Sequence, residues 1–183
     1  MRHTLSILVE NKFGELSRIV GLFSARGYNI ESLTVAESLD PKISRMTLVT
    51  TGNDETIEQI TRQLDKQVRV IEAVDMTGFS HIEREMAIIN VRAEAGPARQ
   101  EVLSLAGIFR AKVVDVSSDG IIVEATGDWG KVSALIELLK PLGIREIVRT
   151  GTVAITRLSE RAASETVDQE IDEGAVRQTS VCR

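Results

Sequence analysis

Twice along this chain the spacing of apolar residues switches between a period of two and a period near 3.6, in the same order each time. Leu5, Ile7 and Val9 alternate with Thr4, Ser6 and Leu8, the signature of a strand. After the turn-like Asn11-Lys12-Phe13-Gly14, Leu16, Ile19, Val20 and Phe23 fall at i, i+3, i+4, i+7 and predict a helix that Gly27 ends. Ile30–Glu37 and Ile43–Thr51 are β-rich and separated at Pro41. Asn53-Asp54 predicts the cap of a helix carrying Ile57, Ile60 and Leu64, and Val68, Val70 and Val74 close the unit as a strand. The order is βαββαβ, the ferredoxin-like arrangement.

The order then recurs. Met86–Val91 reads as a strand, and Gly96-Pro97 opens a helix with Val102, Leu105, Ala106 and Phe109 on one side. Val113–Val116 and Ile121–Ala125 flank Ser117-Ser118-Asp119-Gly120, whose Asp-Gly step signals a hairpin. Trp129–Leu142 carries Val132, Leu135, Ile136 and Leu139 on one face; Gly143 ends it and Ile144–Ile155 supplies a last strand. The predicted fold class is α+β: two ferredoxin-like βαββαβ domains in tandem, over residues 1–78 and 85–157, with 79–84 as linker. The linker is short, so docked domains are expected. Residues 158–183 are acidic and poor in large apolar side chains, which cannot offset the entropy of ordering, so a flexible, disordered tail is expected.

Helices on one face leave the other face of each sheet to meet water, a second sheet or another chain. In the fourth strand Val68, Val70 and Val74 would lie on one side and Ile71 and Ala73 on the other, which predicts a covered second face. Edge strands also pair between chains, so a homo-oligomer is expected.

The formal net charge of −5 argues against a nucleic-acid module, which needs clustered Lys and Arg. No apolar run approaches the roughly 18 residues of a membrane span, and Glu10 and Lys12 interrupt any signal-peptide core. Cys182 is the single cysteine, so no internal disulfide forms, and a cytoplasmic protein is expected. His3 and His81 have no oriented partner legible in the sequence, and neither a G-x-G-x-x-G nor a Walker loop is present. Neither a catalytic constellation nor a metal cluster is expected.

One corner invites a ligand. Asn11-Lys12-Phe13-Gly14-Glu15-Leu16 lies where the first strand hands over to the first helix, whose leading N–H groups suit a carboxylate. Gly14 admits close approach to the backbone, and Asn11 offers donor and acceptor. Asn29 begins the second strand, and is placed beside this corner if the helix packs back on the sheet; Ile30 and Leu16 would line a small aliphatic pocket. Together they suit a free amino acid with a short branched side chain. Spacing alone favours the plainer reading, a turn and a helix cap. The equivalent segment of the second half, Glu94-Ala95-Gly96-Pro97, keeps a glycine and lacks the asparagine.

The run Asn11-x-x-Gly14-x-Leu16-x-Arg18-Ile19-x-Gly21-Leu22-Phe23-x-x-Arg26-Gly27-Tyr28-Asn29-Ile30-x-Ser32-Leu33 closely resembles the opening of the small regulatory subunit of acetolactate synthase (acetohydroxyacid synthase). Ser44-Arg45-Met46-Thr47, Phe109-Arg110-Ala111-Lys112 and Arg149-Thr150-Gly151 resemble later segments of that family. The resemblance implies an ACT domain over 1–78 followed by the family's C-terminal domain. It implies a homodimer through the ACT domains with a branched-chain amino acid, usually valine, otherwise leucine or isoleucine, between them. Asn11, Gly14, Leu16, Asn29 and Ile30 would be the effector contacts, with Lys12, Phe13 and Glu15 contributing mainly backbone. It further implies no catalytic residue and no cofactor on this chain. The partner would be a large catalytic subunit carrying thiamine diphosphate, FAD and magnesium, activated by this chain and made sensitive to feedback in branched-chain amino acid biosynthesis. The alternative is a stand-alone amino-acid-responsive regulator of transcription. It needs a basic recognition helix, and the sequence shows none.

Overall fold

The computed structural model describes residues 1–158. The expectation of a disordered 158–183 tail, and Cys182 with it, falls outside the described residues except for Leu158. The first unit is β1 (Arg2–Glu10), α1 (Glu15–Ala25), β2 (Ile30–Glu37), β3 (Ile43–Thr51), α2 (Asp54–Asp65) and β4 (Val70–Asp75). Its strands form a four-stranded antiparallel sheet in the order β2-β3-β1-β4. Leu5, Ile7 and Val9 of β1 and Met46 and Leu48 of β3 are buried with Ile19 and Phe23 of α1 and Ile57, Ile60 and Leu64 of α2. The Asn53 side chain accepts from the Thr56 N–H at 2.9 Å, so α2 starts where the sequence places its cap.

The second unit is β5 (His81–Arg92), α3 (Pro97–Ile108), β6 (Lys112–Val116), β7 (Gly120–Gly127), α4 (Trp129–Gly143), β8 (Ile144–Arg149) and β9 (Val153–Thr156). The order is β6-β7-β5-β8, with β9 paired to the start of β5. Asp128 caps α4 by accepting from the Lys131 N–H at 2.8 Å. Ala87, Ile89 and Val91 form the floor of a second aliphatic core beneath Val102, Val132, Leu135 and Leu139.

Three expectations need correction. The linker over 79–84 is largely strand: His81–Arg84 pair with β9, which satisfies backbone groups that a free linker would leave to water. The run Ile144–Ile155 is two strands, because Gly151, at φ +86°, breaks it between Arg149 and Val153. Val68 is exposed and precedes β4, and Val70 does not share a face with Val74. A register shift between Leu8 and Val9 places Val70 opposite Val9 and Ala73 opposite Ile7, both on the helix side, while Val74 faces Ser6.

The second face of the first sheet is covered by this chain's own second unit, as expected, but at the hydroxyl-bearing strands β1 and β3 rather than through the valines of β4 on which the expectation rested. Thr4, Ser6, Thr47 and Val49 on that face are buried. The Thr34 hydroxyl donates to the Thr152 carbonyl at 2.8 Å, and the Thr152 N–H donates to Ser32 Oγ at 2.9 Å. The Thr4 hydroxyl donates to Glu83 Oε1 at 2.5 Å, and the Arg2 guanidinium reaches both Glu83 and Thr152 Oγ1. The seam is therefore a layer of hydroxyls and one ion pair. The second face of the other sheet stays open at Ile88 and Val148, which pair directly.

Candidate effector site

The β1–α1 corner is built by backbone. The Asn11 N–H donates to the Lys42 carbonyl at 2.6 Å, and the Lys12 N–H to the Glu10 carbonyl at 2.8 Å. The Asn11 side-chain amide donates to Glu37 Oε1 at 3.1 Å and to the Pro41 carbonyl at 3.0 Å, which anchors it to the β2–β3 turn. These donors are thus committed, and the amide oxygen has no protein donor among the described residues. Glu37, Pro41 and Lys42 carry no signal in the sequence for this role, since they lie 26 or more residues from Asn11.

Gly14 caps α1 with φ +89°, a conformation that favours glycine, and no atom lies within 4 Å of where its Cβ would stand. The Arg18 N–H is the first to find a helical carbonyl, that of Gly14 at 3.0 Å. Among the described residues no acceptor takes the N–H groups of Gly14, Leu16 or Ser17, the donors that open a helix. Phe13 is fully exposed and Leu16 is about half-exposed. Glu15 differs: its side chain is buried and bonded by Arg69 at 2.8 Å, an internal ion pair at the positive end of the helix. Lys12 pairs with Glu10 at 2.7 Å and holds that carboxyl below the usual glutamate range.

Asn29 and Ile30 do not join this corner within one chain. Ile30 stands opposite Thr50, and Thr50 opposite His3, at the far end of β1 from Asn11. Glu37, at the other end of β2, stands level with Val9. Seven strand steps place the two groups roughly 23 Å apart. The expectation that helix packing would set Asn29 beside the corner is therefore incorrect; α1 returns the chain to the opposite end of the sheet. Asn29 is exposed, and its carbonyl accepts from Thr50 Oγ1 at 2.6 Å. No backbone bond is made from the outer edge of β2 among the described residues.

The second half uses its corresponding corner differently. Ahead of α3, the Arg99 guanidinium turns back and donates to the carbonyls of Ala93 and Ser118, at 2.8 and 3.1 Å, and of Ser117. The N–H groups of Ala98 and Arg99 also find no acceptor among the described residues, and no atom lies within 4 Å of a Cβ on Gly96, so this corner shares the open donors of α1 and lacks the asparagine. His3 is buried against Asp75 at 3.0 Å, and His81 Nδ1 lies 2.8 Å from the Phe79 carbonyl. Among the described residues no three His, Cys, Asp or Glu side chains gather as metal ligands, and no helix is long and apolar enough to cross a membrane.

What this geometry describes is an ACT-type regulatory domain, docked on a second ferredoxin-like domain. Residues 5–72 match the family described as AHAS small subunit-like ACT domain, and residues 84–158 match the small subunit of acetolactate synthase. The chain belongs to the acetolactate synthase small-subunit family. It is 48% identical over 157 residues to the probable acetolactate synthase small subunit of Archaeoglobus fulgidus, covering 86% of this chain and 98% of that one. It is 47% identical to the acetolactate synthase small subunit of Mycobacterium leprae, over 85% of this chain and 91% of that one. The crystal structure of the small subunit from Thermotoga maritima superposes with a TM-score of 0.76 at 43% identity, over 86% of this chain and 98% of that chain. The family is that of the regulatory, non-catalytic subunit of an enzyme complex in branched-chain amino acid biosynthesis, and a small subunit has a catalytic counterpart.

Proposed function

We propose that this chain binds the acetolactate synthase catalytic subunit, raises its activity, and makes it inhibitable by valine held between the ACT domains of two copies. The observation that carries the reading is the unclaimed trio of N–H donors at Gly14, Leu16 and Ser17 beside the open space at Gly14. A ligand carboxylate fits those donors and the helix dipole. The Asn11 amide oxygen accepts from the ligand ammonium, and Leu16 offers aliphatic contact. Leucine and isoleucine share this chemistry.

The distance between Asn11 and Asn29 supports a second copy. β2 is an edge strand. Antiparallel pairing of two β2 edges about a two-fold axis brings the Asn29 end of one strand to the Glu37 end of the other. The partner's Asn29 and Ile30 then close the corner that one chain leaves open. Such an effector inhibits only through its preference for one state of the complex. A coupling of about 1–3 kcal/mol changes affinity by about 5–150-fold. Thiamine diphosphate, FAD and magnesium belong, in this reading, to the catalytic partner.

The test is co-purification of the full chain with its cognate catalytic subunit, with pyruvate condensation assayed with and without valine. Higher activity in the complex and valine inhibition found only there are expected. A complex that does not form, or valine inhibition independent of this chain, overturns the reading.

A further inference from the structure

The two partners of the Asn11 amide dictate which way it is turned. Its nitrogen donates to Glu37 Oε1 at 3.1 Å and to the Pro41 carbonyl at 3.0 Å. A carboxylate and a carbonyl have no hydrogen to give, so only the NH2 end of the amide satisfies them. Both amide hydrogens are thereby spent, and what Asn11 has left for a ligand is an acceptor. At the same corner the backbone of Gly14, Leu16 and Ser17 offers donors. Glu37 sets this polarity from 26 residues away. Among the described residues its carboxylate makes no other side-chain bond and no ion pair, so its charge is committed to the amide. The second acceptor is fixed as well: the turn that carries Pro41 is closed by the Lys42 N–H on Asp40 Oδ1 and the Ile43 N–H on the Asp40 carbonyl, both at 2.9 Å.

We propose that Glu37 is a specificity-determining positioning residue: by leaving only the oxygen of Asn11 free, it makes the corner take 2-amino acids and refuse the 2-oxo acids of the same carbon skeleton. The inference rests on the effector reading above and adds what that site excludes. An amino acid and its oxo acid share carboxylate and side chain, so the N–H groups of the helix and the contact at Leu16 do not tell them apart. The corner ahead of α3 has such donors without an asparagine and has no means of choosing. The choice falls to Asn11. An ammonium donates to its oxygen; a keto oxygen in that place sets lone pair against lone pair, and a site built around a hydrogen bond rejects the analogue that lacks it. A hydroxyl can donate, so a 2-hydroxy acid stands between the two. An amide turned the other way would offer its NH2 end to a keto oxygen and lose the distinction.

The full chain is titrated in calorimetry with L-valine, with L-2-hydroxyisovalerate and with 2-oxoisovalerate. The last two are monoanions with the same carboxylate and side chain, so the ratio of their affinities reads the amide and cancels any change in local charge. The wild type should prefer the hydroxy acid to the oxo acid about tenfold, the worth of one hydrogen bond. Glu37→Lys puts a donor where the acceptor stood and draws the Asn11 oxygen towards itself. The two anions should then bind alike, with the oxo acid gaining on the hydroxy acid, a gain that misfolding cannot imitate. A hydroxy acid that binds no better than the oxo acid in the wild type, or an oxo acid that gains nothing on it in Glu37→Lys, overturns the proposal while leaving the effector reading in place. Absence of valine binding to the wild type is the separate result that strikes the effector reading and takes this inference with it.

Discussion

Gly14 and Gly151 have nearly the same backbone angle, φ +89° and +86°, for different reasons. At Gly14 a side chain would meet nothing within 4 Å, so the position is constrained by conformation alone and the space before it is free. At Gly151 a Cβ would stand 2.6 Å from Ser32 Oγ and 3.0 Å from Thr34 Cγ2, so the two domains approach there only because the residue is bare. Gly14→Asp should fold, at a conformational cost of about 1 kcal/mol. It should weaken valine by at least about tenfold in calorimetry, because a carboxylate then occupies the donors proposed for the ligand. Unchanged affinity would remove the carboxylate from this corner. Gly151→Ala should cost about 1–3 kcal/mol through overpacking and strain, read as a fall of several degrees in Tm, and a Tm at the wild-type value would show that the seam gives way without cost.

Among the elements, α2 is the most legible from sequence, since cap and apolar stripe agree over Asn53–Leu64 and both appear in the structure. Asn53→Ala should therefore cost about 1 kcal/mol, seen as a lower urea midpoint with an unchanged slope, while Asn53→Asp stays near the wild type. A midpoint unmoved by the alanine would mean that packing of Ile57, Ile60 and Leu64 alone positions the helix. Other elements were less legible for identifiable reasons. β-Branched residues run on from Ile144 to Ile155, so nothing local marks the break except Gly151, whose partners Ser32 and Thr34 are distant in sequence. β4 reads as simple alternation because an irregular register between two strands leaves no trace in the residues of one. The candidate corner was legible as far as Asn11–Leu16, where loop and helix start are contiguous. The position of Asn29 was not, because the direction in which a strand starts depends on the whole crossover. The hydroxyl seam was hidden too: Thr4, Ser32, Thr34 and Thr152 look like ordinary strand residues until they face one another.

For the whole molecule, two contacts between sheets decide how it works: the seam inside one chain, and the proposed pairing of β2 between two. At the seam, burial pushes the Glu83 carboxyl up, but the Thr4 hydroxyl, the Arg2 charge and His81 outweigh it and hold the group below the ordinary glutamate range. A depressed carboxyl contributes stability that is present above its unfolded pKa, about 4.3, and is lost as pH falls through the lower folded value. Glu83→Gln should thus lower stability at neutral pH and flatten its fall below about pH 4; an acid limb parallel to the wild type would show that other carboxyls carry it. For the pairing, backbone N–H groups along a strand alternate between its two edges. Of Val35→Pro and Ala36→Pro, one removes an N–H that β3 uses and the other an N–H on the free edge. The first should destabilise the fold. The second should leave circular dichroism and Tm near the wild type, while sedimentation shows a shift from dimer to monomer and calorimetry shows weaker valine binding. Both readouts should move together, since in the proposed pairing the partner's Asn29 reaches the Gly14 corner only when two copies are joined. A monomeric variant that still binds valine at full strength would place the whole effector site within one chain, and a β2 edge tolerant of both prolines would place the two-fold contact elsewhere.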